Sequence, residues 1–251
     1  MSDELEFIAP LWPAPLNIRA LSTTRFGGVS EGPYASFNLA QHVGDSAEHV
    51  SKNRQILMRQ AEMPAEPLWL KQVHGTEVVN FAGSPAGEIC ADASITSQPG
   101  QVLTVMTADC LPLLICDAEG SHIAAVHAGW RGLLAGIIEN TLDKLIESGA
   151  KRLIAWMGPA IGPESFEVGA EVRDQFGAHD ARSDKAFRPA ADEGKYLADL
   201  YQLARLRMED YANVDVYGGD FCTYTESERF FSYRRDGETG RMASCIWLMD
   251  E

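Results

Sequence analysis

Two histidines and one cysteine carry the chemistry that this chain offers. His74 lies in Lys71-Gln72-Val73-His74-Gly75, Cys110 in Ala108-Asp109-Cys110-Leu111-Pro112, and His127 in Val126-His127-Ala128-Gly129-Trp130-Arg131-Gly132. One thiolate and two imidazoles are zinc ligands, and three protein ligands leave the fourth position open to water or substrate. The same groups could instead make a cysteine nucleophile with a histidine base. Separations of 36 residues from His74 to Cys110 and 17 from Cys110 to His127 match no short zinc-finger spacing. A structural zinc would also want a fourth protein ligand. His42, His49, His122 and His179 lack a matching context, and His49 and His179 have the setting of surface residues. Asp109, beside the cysteine, is placed to act as a general base or to orient a ligand from behind, and Asp92 is a lesser candidate of the same kind.

These residues need strand ends and turns to hold them. Ile18–Thr24 has the pattern of a strand, and a glycine-rich turn with Arg25 follows it. Asp45 or Ser46 can cap a helix that runs to about Gln60. Strands are expected at Glu77–Phe81, Ala91–Thr96 and Val102–Thr107, then a hairpin of Leu111–Asp117 and Ile123–His127 around Ala118-Glu119-Gly120. His74 and His127 thus fall at strand ends, where scaffolds place reactive groups. Beyond His127 the apolar residues change to helical spacing, which predicts one helix over Trp130–Ser148, with Gly149 at its C-terminal cap. Leu153–Met157 is a short buried strand, Leu197–Tyr211 a helix, and Val214–Tyr217 and Ala243–Leu248 further strands. Phe230–Arg235 alternates rings and guanidinium groups: it either stacks a purine and grips a phosphate, or is a strand with one buried face. Hairpins mixed with helices predict an α+β fold over a doubly wound parallel sheet.

Composition narrows the function. The net charge of −15 argues against an extended nucleic-acid or anionic-membrane surface, though a few local arginines would still suffice for a small anion. No apolar stretch approaches the roughly 18 residues of a membrane span, and the N-terminal residues lack a signal-peptide pattern. The expectation is a cytoplasmic protein. No repeat or linker divides the chain, so one domain is expected over residues 1–251. The five scattered cysteines form no CxxC pair and read as free thiols, with Cys116 and Cys245 in core strands.

The motifs WLKQVHG, ADASITSQPG, TADCLPLLICD, VHAGWRG, MGPAIGPESFEVG and FFSYRRDGETGRMAS occur in that order, after TTRFGGVSEGPYASFNLAQHVGD and Asn53-Arg54. In this the chain resembles the laccase-domain family, also called the polyphenol oxidase or peptidoglycan-editing-factor family. The resemblance covers nearly the whole chain and implies a layered α+β structure shared with certain toxin cysteine hydrolases. It implies one catalytic zinc on His74, Cys110 and His127. It also implies phosphorolysis of adenosine, inosine and methylthioadenosine to base and ribose 1-phosphate (or its methylthio analogue), with adenosine deamination. A zinc-activated water would serve deamination, whereas phosphorolysis needs cations to hold phosphate. Arg25, Arg54, Lys71 and Arg131 are the candidates, with the backbone amides at the start of the helix after His127. The partners implied are a small nucleoside and phosphate. The alternatives are a cysteine hydrolase editing a serine-containing peptidoglycan precursor and a copper-dependent polyphenol oxidase. Six histidines without a His-x-His pair argue against the latter, although copper would compete for such a site.

Overall fold

Strands that are apolar on both faces must be covered on both faces. The runs Leu111–Asp117, Ile123–Ala128 and Met242–Leu248 are of this kind, and every residue in them is buried. A computed structural model, which describes residues 5–83 and 87–249, shows what covers them. In chain order the first elements are β1 (Phe7–Ile8), β2 (Ile18–Thr23), α1 (Ala47–Gln60), β3 (Val78–Asn80), β4 (Ala93–Thr96) and β5 (Val102–Thr107). Next come β6 (Leu111–Asp117), β7 (Ile123–Ala128), α2 (Trp130–Ala135), α3 (Ile137–Glu147), β8 (Leu153–Met157), β9 (Glu167–Gly169) and α4 (Ala170–His179). The last are β10 (Phe187–Pro189), β11 (Lys195–Ala198), α5 (Leu200–Glu209), β12 (Val214–Gly218), α6 (Tyr233–Asp236) and β13 (Met242–Leu248).

The architecture is α+β, as expected. A mixed six-stranded sheet runs β12-β8-β6-β7-β4-β3, a four-stranded antiparallel sheet runs β1-β2-β13-β5, and a small three-stranded sheet runs β10-β11-β9. The period-two alternation sends residues of each buried strand into different cores. From β6, Leu111, Leu113 and Ile115 pack with Ile138, Leu142 and Leu203 of the helices, while Leu114 and Cys116 face Leu103, Val105 and Ile246 of the four-stranded sheet. The outer face of that sheet, with Cys245 and Trp247, is covered by Leu57 of α1 together with Phe37 and Leu39. The layers are therefore helices, six-stranded sheet, four-stranded sheet and α1.

Several expectations need correction. The single helix over Trp130–Ser148 is two helices, broken at Gly136, whose φ of 101° is left-handed and ends α2. Its other end holds: Gly149 follows the C-cap with φ 111°. The helix expected over Leu197–Tyr211 starts only after Asp199, whose side chain accepts the Gln202 N–H at 2.9 Å, and Leu197 belongs to β11. Phe230–Arg235 forms no strand: Phe230 and Phe231 are fully buried, and a one-turn helix begins at Tyr233. The small sheet and α4 were not anticipated. Val102–Thr107 and Leu111–Asp117 hold to the residue, and Ser46 caps α1. Among the described residues no helix is long and apolar enough to cross a membrane.

Candidate metal centre

His74 sits on a loop that the end of β5 holds in place. The Gln72 side-chain amide donates to the Met106 carbonyl and accepts the Met106 N–H, both at 2.8 Å. The next turn wraps around Asp92, whose carboxylate accepts the N–H groups of Val73 at 3.2 Å, His74 at 2.9 Å and Gly75 at 2.7 Å. His74 takes a left-handed φ of 61° in doing so. The same carboxylate accepts His127 Nδ1–H at 2.8 Å. Asp92 precedes β4, whose Ala93 pairs with Val126 of β7, so sheet register brings Asp92 beside His127. One fully buried carboxylate therefore fixes both histidines, and its bond to Nδ1 leaves His127 Nε2 available as a ligand.

Cys110 occupies the sharp turn between β5 and β6, entered through Asp109 at φ 93°. Asp109 is itself tied: its carboxylate accepts Thr223 Oγ1–H and Arg234 N–H, each at 2.6 Å. A side chain at Gly129, just after β7, would put its Cβ 2.8 Å from the His74 ring and 3.0 Å from Cys110 Sγ. Glycine there is a condition for the three residues to converge.

They do converge. The ligand atoms of His74, Cys110 and His127 all lie within 4.8 Å of one another, and Cys110 Sγ is 3.7 Å from His74 Nε2. Tetrahedral zinc with bonds of about 2.3 Å to sulfur and 2.0 Å to nitrogen separates two such ligands by roughly 3.5 Å, so the donor set fits with small movements. Among the described residues this is the one group of three or more potential ligands so close. Burial opposes charge on Cys110, but the neighbouring imidazoles of His127 and His74 outweigh it and bring the thiol down to about 6. Burial likewise disfavours the His127 cation, yet the Cys110 thiolate and Asp92 carry its pKa up to about 9. Each of the two groups favours the charged form of the other.

The three residues line a cavity of about 410 Å³. The four nominated cations lie elsewhere. Arg25 donates to the carbonyls of Ala35 and Ser227 and lies over Phe231. Arg54 donates to the Leu39 carbonyl and stacks on Trp69 at 3.8 Å. Lys71 pairs with Glu88 on the surface, and exposed Arg131 lies over the Trp130 ring. Asp109 is also absent from the lining. Also lining the cavity are His42, Gln72, Met106, Thr107, Ala108 and Arg241, none of them nominated, and Tyr233, from the run Phe230–Arg235 that the sequence offers as a purine-stacking segment. Tyr233 and Arg241 fall inside the motif FFSYRRDGETGRMAS, where the available signal was an arginine directly before a fully buried strand.

A family model described as multi-copper polyphenol oxidoreductase laccase matches residues 19–249. The chain is 52% identical over 244 residues to the purine nucleoside phosphorylase YfiH of Escherichia coli (strain K12), covering 97% of this chain and 99% of that protein. It is 50% identical over 244 residues to a purine nucleoside phosphorylase of Pseudomonas aeruginosa, again covering 97% and 99%. The crystal structure of a Neisseria meningitidis protein superposes with a TM-score of 0.89 at 47% identity, covering 97% of this chain and 99% of that one.

Proposed function

The chain belongs to the family described as multi-copper polyphenol oxidoreductase laccase, and from that premise we propose that it is a purine nucleoside phosphorylase working at a single zinc. Inosine, adenosine or methylthioadenosine reacts with phosphate to give the base and the sugar 1-phosphate, and adenosine is also deaminated. The observation that carries this reading is the convergence of His74, Cys110 and His127 in one cavity of about 410 Å³, a size within the usual range for small-molecule sites. The relatives named purine nucleoside phosphorylase support the substrate class.

Two nitrogens and one thiolate suit zinc and leave a fourth position open. Several coppers would need several such groups, and the described residues hold one. Bound there, zinc supplies a Lewis acid at the open position. The protein prepares its own ligands: Cys110 is already biased to thiolate, so the proton that metal binding must displace is the one on His127. Asp92 fixes the His127 tautomer. Tyr233, 60% exposed, puts a phenol ring in the cavity wall where a flat base could pack.

The lowered Cys110 thiol beside His127 also supports a second reading, a metal-independent cysteine hydrolase acting on a serine-containing peptidoglycan precursor. One experiment separates them: metal analysis of protein purified without added metal, with inosine and adenosine assayed with and without phosphate. The expected result is about one zinc per chain, phosphate-dependent inosine cleavage, and loss of activity on chelation. Full activity without metal, lost in Cys110→Ala, would favour the hydrolase. Inert nucleosides under every condition would sink the phosphorylase reading.

A further inference from the structure

The wall of the cavity has a different charge from the molecule around it. The chain carries 36 Asp and Glu against 21 Lys and Arg, yet the cavity lining includes no carboxylate and does include Arg241, His42, His74 and His127. Asp92 and Asp109 stand behind the wall with their oxygens committed to backbone amides, His127 and Thr223.

Arg241 is the fixed charge in this wall. Its N–H donates to Asn38 Oδ1 at 3.0 Å as the chain enters β13. One guanidinium nitrogen donates to the carbonyls of Thr239 at 2.8 Å and Gly240 at 3.0 Å. Among the described residues these carbonyls are the side chain's hydrogen-bond partners, so the other two nitrogens keep their donors. Among the described residues no carboxylate pairs with this half-buried guanidinium, and Cys110 and Asp109 act on it only through space, so its free donors are left for an oxyanion in the cavity. The four cations nominated from sequence do not line the cavity, whereas Arg241 does, its guanidinium lying also over the Tyr233 ring at 5.7 Å.

We propose that Arg241 is the phosphate-binding residue of this cavity, gripping inorganic phosphate as co-substrate and the ester phosphate of the sugar 1-phosphate product. The proposal rests on the phosphorylase reading. A planar fork suits a tetrahedral oxyanion. A phosphate oxygen forms the new bond to C1′ as the C1′–N9 bond breaks. The electron pair leaves with the purine, and the proton carried in by phosphate ends on the base.

The test is steady-state kinetics of the zinc-loaded enzyme with phosphate and inosine varied separately, in wild type, Arg241→Gln and Arg241→Lys. Arg152→Gln, in a surface pair with Asp215, is the control. Arg241→Gln should raise the KM for phosphate about ten- to hundredfold, the range for losing hydrogen bonds to a charged group, with the KM for inosine changed less than about threefold. Arg241→Lys should recover part of the loss, since a point charge replaces the fork. An unchanged phosphate KM, or an equal rise in both KM values, overturns the proposal. Wild-type cleavage that ignores phosphate would overturn the functional reading instead. Thermal shift by inorganic phosphate then decides the subsite: stabilisation of wild type that is lost in Arg241→Gln upholds it, and equal shifts or none overturn it.

Discussion

A cysteine brought to about 6 by two imidazoles is a nucleophile at neutral pH whenever metal is absent. In metal-free protein at pH 7, iodoacetamide should therefore modify Cys110 before the other cysteines, with a rate that falls as pH drops through about 6. Burial pushes Cys116 and Cys245 up to about 12, so neither competes. Peptide mass spectrometry reads the order; label reaching exposed Cys90 first, or no protection by added zinc, would contradict this account of the site. Asp92 should matter nearly as much as the ligands. Asp92→Asn should weaken zinc binding by about ten- to hundredfold in competition with a chelator, because it disturbs a contact to His127 and three amides of the His74 loop together. Strand ends and glycines singled out His74, Cys110 and His127 in the sequence, and the family resemblance was needed to join them into one site. Asp92 was underrated because it lies 35 residues from His127 and only the β4–β7 register joins them. Arg241 was missed for a related reason: its place in the cavity wall beside His42 and Gln72 joins segments far apart in sequence.

At the scale of elements, the break between α2 and α3 marks where sequence reasoning and structure part. Leu133, Leu134, Ile137 and Ile138 keep helical spacing across Gly136, so periodicity sees one helix. Gly136 at φ 101° redirects the chain, and its N–H donates to the Gly132 carbonyl at 3.0 Å to finish α2. A Cβ here would meet nothing closer than Glu139 Oε2 at 3.8 Å, so substitution is penalised by backbone conformation alone. Gly136→Ala should cost about 1–2 kcal/mol in urea unfolding. A neutral or stabilising result would mean that the two helices merge readily. The hairpin of β6 and β7 was legible because both strands are long apolar runs around a glycine turn. The three-stranded sheet was not: its strands have only 3 or 4 residues, too few for alternation to register. In α4, Val172 and Phe176 are the only buried side chains, too thin an apolar stripe to read as a helix.

For the whole molecule, the net charge of −15 would suggest relief in mild acid, as protonating surface carboxylates reduces self-repulsion. Buried carboxylates oppose that trend. Asp117 ends β6 in the middle of the six-stranded sheet and holds the turn to β7 by accepting the N–H groups of Ser121 at 2.6 Å and His122 at 3.0 Å. Burial works against its ionisation, but the Ser121 hydroxyl and these amides outweigh it, and its pKa lies below the usual carboxylate value. A carboxylate with a lower pKa folded than unfolded adds stability that is complete above the unfolded value of about 3.9 and is lost as pH falls through the folded one. Asp92 behaves in the same direction, with the His127 ring and the Gly75 and His74 amides outweighing burial. Because Asp117 closes the turn between the two fully buried strands β6 and β7, losing its charge should be felt by the whole cooperative unit. Asp117→Asn should destabilise by about 1–3 kcal/mol at pH 7. Urea midpoints of the two proteins should draw together as pH falls below about 4, where wild type also loses the charge. A gap between them that stays constant from pH 7 to pH 3 would show that shape at this turn, not the carboxylate's charge, holds the centre of the sheet.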